Sequence, residues 1–168
     1  IMEFGALQCK PKSPDCSICP IEYSCAAYQS KDVSVLPVRS KKSKVKERFL
    51  HFLMIETENR ICIGKRKSGI WKGLYEFPFL EFSDRIPDSK VIESDAWIKL
   101  FRENILEVKS KSCNYIHKLT HQKIHANFWE VRVNNFSIEG FEKVTLESLK
   151  QYPVSRLMEK YLKTLNTD

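Results

Sequence analysis

The stretch Arg48–Arg66, RFLHFLMIETENRICIGKR, decides the fold class. Its opening residues, Arg48–Thr57, are a dense apolar run of strand length, and the Glu58-Asn59 that follows has turn chemistry. Arg60–Arg66 resumes as a second strand, so the two are expected to form a hairpin. Downstream, residues 75–82 (YEFPFLEF) read as aromatic and extended, with Tyr75, Phe77 and Phe79 alternating as one face of a strand should. The intervening KSGIWKG is a loop with glycines at 69 and 73. Ser94–Val108 carries helix signals. Ser94 can cap, Asp95 suits the amino end, and Trp97, Leu100, Phe101, Ile105 and Val108 share a face. Strands return at Ser112–Lys118 and Lys123–Val133, with an edge strand over residues 141–144. Thr145–Gln151 reads as a short helix stopped before Pro153, and Val154–Leu165 as a terminal helix. Strands, one central helix, further strands and closing helices make an α+β domain.

A different organisation precedes it. Residues 1–8 read as the last turns of a helix, and residues 29–47, rich in Ser and Lys, as an exposed basic linker that separates residues 1–28 from a domain over 48–168. Between helix and linker, CKPKSPDCSICPIEYSC places Cys9, Cys16, Cys19 and Cys25 as C-x6-C-x2-C-x5-C. Four thiols in so short a loop leave no room for a core between them, so something else must hold it. Paired disulfides suit small secreted domains, and no secretory signal stands here. Structural zinc commonly takes two tight Cys-x2-Cys knuckles, of which this segment has one. The wider, unequal gaps favour a cubane iron–sulfur cluster, with zinc as the alternative.

The chain of 168 residues is 42% hydrophobic, as globular soluble proteins are, and no apolar run approaches membrane-spanning length. Six cysteines without a secretory signal point to a reducing cytoplasmic compartment, with Cys62 and Cys113 as ordinary buried thiols. The net charge of +7 is segregated. Basic residues crowd Arg39–Arg48, Arg60–Lys72 and Lys109–Lys123, whereas acids dominate Glu76–Glu107. Such segregation suits a polyanion on one face, although charge alone is equally compatible with solvated lysines.

Three segments, in order, resemble one family. The cysteine spacing is similar to the cluster loop that closes the helical domain of the endonuclease III and adenine DNA glycosylase (MutY type) superfamily. RKSGIWKGLYEFP (66–78) resembles the RPxxGLLxGLWEFP segment of the adenine DNA glycosylase C-terminal domain. HKLTH (117–121) resembles that domain's loop ending in Phe-Ser-His, with Leu119, Thr120 and His121 in the matching places. The resemblance implies the end of a helical glycosylase domain followed by a Nudix-like mixed β-sheet domain. It implies a 4Fe-4S cluster on Cys9, Cys16, Cys19 and Cys25, structural and DNA-positioning. It also implies a parent enzyme that removes adenine opposite 8-oxoguanine in base-excision repair, with its catalytic carboxylates upstream, so that this portion is itself non-catalytic. The implied partner is double-stranded DNA carrying 8-oxoguanine:adenine mispairs, bound by a monomer in a bacterial cytoplasm at the nucleoid.

Chemistry supports a hydroxyl in the reading loop. 8-Oxoguanine presents an N7–H donor and a C8 carbonyl where guanine has an acceptor and a C–H, and Thr120 can accept from the one or donate to the other. His121 can orient the loop or reach a phosphate, and Leu119, in place of phenylalanine, can press on a base step without aromatic stacking. Lys10, Lys12, Arg66 and Lys118 are the expected phosphate contacts, with Lys65, Lys67 and Lys72 as further cations around Trp71. A zinc site on His117, His121 and His125 is disfavoured because their spacing crosses a turn. A Nudix pyrophosphohydrolase is the enzymatic alternative, but only Arg102, Glu103 and Glu107 fall in register with its carboxylate motif, and Leu106 stands where a glutamate is needed. A zinc-stabilised, partner-binding module is the third reading.

Overall fold

The computed structural model describes residues 2–10, 12–36, 38, 45–101, 105–112, 114–134 and 136–165. The chain divides into two compact units, Ile1–Ser43 and Lys44–Asp168. The first holds helix α1 (Met2–Leu7), two 3-10 turns at Cys16–Ile18 and Glu22–Ser24, and the short helix α2 (Ala26–Gln29).

The second unit is built on strand β1 (Lys46–Thr57), which takes Lys46 and Glu47 from the stretch read as linker. β1 turns through Glu58 and Asn59, both at positive φ (51° and 59°), into β2 (Arg60–Lys65), with Thr57 opposite Arg60. Two successive left-handed residues make the tight hairpin whose twist matches its strands. Along its other edge β1 runs parallel to β7 (Gln122–Val133), in register from Lys46↔Gln122 to Glu56↔Arg132. A parallel pair is covered on both faces and so tolerates an uninterrupted apolar run, which is what FLHFLMI supplies. β3 (Tyr75–Glu76) and β8 (Phe141–Val144) pair with β2, and β4 (Phe79–Phe82) with β1. β5 (Ile105–Lys111) and β6 (Tyr115–Lys118) share the far edge of β7.

Two cores follow from the two faces. Leu50, Phe52 and Met54 of β1 and Ile124, Ala126 and Phe128 of β7 meet Phe77 and helix α5 (Arg156–Thr164), where the Phe128 and Tyr161 rings stack at 4.1 Å. Leu53, Ile55, Trp129 and Val131 face the other way, onto α3 (Asp88–Ile92) and α4 (Asp95–Phe101), through Val91, Trp97 and Phe101. Fully burying each such large side chain is worth about 1.5–3 kcal/mol, so the alternation along β1 and β7 fixes their register.

Three expected elements are corrected. The helix read over Ser94–Val108 ends at Phe101. Ser94 does cap it, accepting from the Trp97 amide at 3.3 Å, but Ile105–Lys111 is a strand. Without that strand, the edge of β7 from Trp129 to Val133 would leave its backbone groups unpaired, and the β-branched run supplies the partner. The aromatic strand at 75–82 is likewise split into β3 and β4 around Pro78, while Tyr75, Phe77 and Phe79 all still pack on the first core. The terminal helix is shorter than read and is capped by Ser155, which accepts from the Met158 amide.

Candidate nucleic-acid interface

The glycine-bearing loop after β2 is closed at its base by the Arg66 amide donating to Leu74 O (2.8 Å) and the Gly73 amide donating to Arg66 O (2.9 Å). At its tip Trp71 sits at φ +63°, a conformation rare for a bulky residue, and lays its ring edge-on to His117 of β6 at 5.6 Å. The two sequence segments 66–78 and 117–121 are therefore brought together by one aromatic contact. Beneath it, Arg66 is turned inward. Its guanidinium lies 2.5 Å from Glu76, donates to Ser68 O and stands 5.0 Å from the Phe79 ring centre. With about a tenth of each side chain of this pair exposed, Arg66 holds the loop, which corrects its expected role as a phosphate contact. Burial raises the Glu76 carboxyl, and Arg66 works against that rise.

The β6–β7 turn carries Lys118, Leu119, Thr120 and His121. The Leu119 amide donates to Gln122 O (2.8 Å), and the Lys46 amide donates to His121 O (3.0 Å), so both ends are tied. Leu119 is half-buried against the first core, whereas Lys118, Thr120 and His121 are exposed. The turn thus presents one hydroxyl and one imidazole on a base anchored by leucine. Lys65, Lys67, Lys72 and Lys118 have no acidic partner among the described residues, while Lys123 is paired with Glu47 at 2.9 Å. That hydrogen bond is the main reason the Glu47 carboxyl is held below its ordinary range. His117 pairs in register with Ile124, and His125 with Ile116, so the two rings lie on opposite faces and cannot share a metal.

In the first unit, the amides of Cys19, Glu22 and Cys25 donate to the carbonyls three residues earlier, forming three consecutive tight turns. The Cys16 thiol is raised by burial and then by the charges of Cys19, Cys25 and Cys9. Among the described residues no three His, Cys, Asp or Glu side chains are drawn close enough to form a ligand shell. The donor set fits a four-thiolate centre, and a metal would have to draw the sulfurs together. Lys10 and Lys12 are exposed beside it.

Arg102, Glu103 and Cys113 lie outside the described residues. Glu107 stands on strand β5, 3.7 Å from Arg132, and not on a helix. Two features escaped the sequence reading. The Arg66–Glu76 pair was encoded in the two ends of RKSGIWKGLYE. A polar cavity around His51 and Asn127 was signalled only by polar residues interrupting apolar strands.

The sequence matches the NUDIX domain family over residues 50–164. The chain belongs to that family. The chain is similar to the adenine DNA glycosylase of Buchnera aphidicola subsp. Schizaphis graminum, at 36% identity over 126 residues, covering 74% of this chain and 34% of that protein. The adenine DNA glycosylase of Buchnera aphidicola subsp. Acyrthosiphon pisum is 25% identical over 175 residues, covering 98% of this chain and 47% of its own length. The chain thus spans between a third and a half of the length of these relatives. Among solved structures, the fold is similar to the C-terminal domain of mouse MUTYH, solved in complex with human PCNA, with a TM-score of 0.51 and 15% identity over 70% of this chain and 86% of that one.

Proposed function

We propose that this chain is the C-terminal portion of an adenine DNA glycosylase that removes adenine opposite 8-oxoguanine, and that its NUDIX domain reads the 8-oxoguanine. The observation that carries the reading is the β6–β7 turn. It holds Thr120 and His121 outward on a tied, leucine-anchored base, beside a loop whose lysines lack acidic partners. Similarity to adenine DNA glycosylases over most of the chain supports the same assignment. Thr120 Oγ1 meets the N7–H or C8 carbonyl that distinguishes the lesion, His121 supports the loop or a phosphate, and Lys118, Lys67 and Lys72 neutralise backbone charge. Leu119 acts chiefly as the anchor of the turn. The glycosidic cleavage belongs to a helical domain upstream, and this portion contributes binding, as a monomer acting on the chromosome in the cytoplasm.

In this reading Cys9, Cys16, Cys19 and Cys25 would hold a 4Fe-4S cluster, which would fix the fold of the loop, and Lys10 and Lys12 supply its positive charge. Protein purified without oxygen should contain iron and acid-labile sulfide in equal amounts, and zinc without sulfide would exclude the cluster. Pyrophosphohydrolysis is disfavoured because Leu106 replaces a metal-binding carboxylate and Glu107 is spent on Arg132 from a strand.

The deciding experiment compares binding to duplexes containing 8-oxoguanine:adenine and guanine:adenine, for the wild type and Thr120→Ala. Thr120→Ala should reduce the preference for the lesion by about 1–3 kcal/mol while leaving the salt dependence of nonspecific binding unchanged. Equal losses on both duplexes would reassign Thr120 to folding.

A further inference from the structure

The sheet face that carries the second core ends in a cavity of about 570 Å³, lined by Phe49 and His51 of β1, His125 and Asn127 of β7, and Arg85 and Lys111. Its floor is two alternate register pairs of the parallel strands, Phe49↔His125 and His51↔Asn127, which are neighbours on this face. Elsewhere these strands bury apolar side chains on this face (Leu53, Ile55, Trp129, Val131), so three of the four floor residues break the pattern. Such polar groups, buried at the centre of a sheet, cost stability unless something satisfies them.

Each of the three leaves a polar atom unsatisfied at the inner edge of the cavity. The Trp129 indole N–H donates to His51 Nδ1 at 3.0 Å, which fixes the proton of the neutral ring on Nε2 and leaves that N–H without an acceptor among the described residues. Burial and the neighbouring Lys111 hold the His51 ring neutral. Asn127 Oδ1 and His125 Nε2 are enclosed and have no hydrogen-bond partner among the described residues, Glu47 being 3.7 Å from the latter, so a ligand reaches them only after a small side-chain rotation. Rotation of the Asn127 amide presents either its carbonyl or its NH₂ edge to the cavity. Phe49 and His125 stack at 4.8 Å with only 13° between their planes, giving a flat aromatic wall. At the rim Lys111 is paired with Asp88 at 2.6 Å, whereas Arg85 has no acidic partner among the described residues.

We propose that this cavity binds a nucleotide, its base against the Phe49–His125 wall and hydrogen-bonded by His51 and Asn127, its phosphate at Arg85. A bare anion would not be matched with an Asn carbonyl and Asp88, and an apolar ligand would leave His51 and Asn127 unsatisfied. A planar heterocycle with donors and acceptors on its edge satisfies both, and the volume lies within the roughly 300–1,000 Å³ usual for small-molecule sites. The same chemistry comes from a free mononucleotide or from an unpaired nucleotide of a DNA strand. None of the lining residues belongs to the β6–β7 turn, and the proposal does not depend on the lesion reading.

The test is titration of the full chain with each of the four deoxynucleoside monophosphates, with the matching nucleosides, and with a short single-stranded deoxyoligonucleotide. The readout is the Trp129 indole N–H resonance, which reports His51 directly. A saturable shift is expected with at least one nucleotide. Arg85→Ala should weaken the monophosphate about tenfold and leave the nucleoside unchanged. Asn127→Asp, nearly isosteric and folded by its amide spectrum, should lose most of the binding, while Thr120→Ala should lose none. Tighter binding of the oligonucleotide than of the mononucleotide assigns the site to a DNA strand, and the reverse to free nucleotides. An indole resonance unmoved at millimolar concentrations of every ligand overturns the proposal and leaves a water-filled cavity. A shift that survives both Arg85→Ala and Asn127→Asp overturns it as well.

Discussion

Acid should destabilise this domain through one buried ring before its carboxylates take part. His51 is 3% exposed, accepts a hydrogen bond from Trp129 through Nδ1, and has Lys111 nearby. Protonation would put two donors face to face and place a cation in the sheet. Burial first, and then Lys111, lower its pKa from 6.5 to about 4, with Asp88 opposing. Between those values the unfolded chain binds a proton that the folded chain refuses, so stability rises with pH across the window. The contribution is complete above about pH 6.5, falls as the pH drops, and is gone below about pH 4. At 1.36 kcal/mol per pKa unit, the full swing is about 3 kcal/mol, a sizeable share of the roughly 5–15 kcal/mol of a typical domain. Carboxylates act at lower pH. Glu81, lowered chiefly by its bond from Arg48, loses its contribution only below the ordinary carboxylate range, whereas the raised Glu76 runs in the opposite sense and favours the acid side. Urea unfolding of the wild type and His51→Gln from pH 7.5 to 4 isolates the ring, since glutamine can still accept from Trp129 but does not titrate. The variant should gain on the wild type by up to about 3 kcal/mol as the pH falls. Parallel curves would refute the assignment, because they would show that His51 titrates alike in the folded and unfolded chains.

Further perturbations test the frame around the β6–β7 turn and the cysteine loop. Arg66→Ala strands the buried Glu76 carboxylate and should cost about 3–5 kcal/mol by urea unfolding, while Arg66→Met with Glu76→Leu should recover most of that loss. Gly64→Ala puts a Cβ 2.7 Å from the Phe141 ring and 2.9 Å from Gly140 O, so it should cost about 1–3 kcal/mol and weaken hydrogen-exchange protection along β8 before β7. Replacing Cys16 by serine should abolish iron incorporation yet leave the unfolding midpoint of the NUDIX domain unchanged, as two compact units predict.

Local pattern made most of the sheet legible. The density of Arg48–Thr57 and the turn residues Glu58 and Asn59 specify the first hairpin without tertiary information, and the structure forms it there. Ser94–Val108 misled because its apolar spacing satisfies a helix up to Phe101 and is ambiguous beyond it. Ile105–Lys111 becomes a strand only because β7 offers an open edge, a partner some twenty residues further along the chain. No window of sequence contains that edge.

The candidate interface shows the same division within a single motif. RKSGIWKGLYEFP displays its cations and aromatics openly, and a basic loop with a tryptophan invites a reading as a DNA-contact surface. What the linear string hides is direction. The return of the chain through Gly69 and Gly73 to the β2–β3 pair brings Arg66 onto Glu76, ten residues away, and that contact removes the one arginine of the loop from the surface. The same return lifts Trp71 against His117, so a residue that resembles a base-stacking platform is used to fix the neighbouring turn. The turn carrying Thr120 and His121 is thereby braced from the neighbouring loop. It follows that Trp71→Ala should weaken lesion preference through a loosened turn, with mobility appearing first at His117 and Lys118. Thr120→Ala should weaken it with the turn intact. Amide exchange at Leu119, whose N–H is tied to Gln122 O, separates the two: accelerated in the first variant and unchanged in the second.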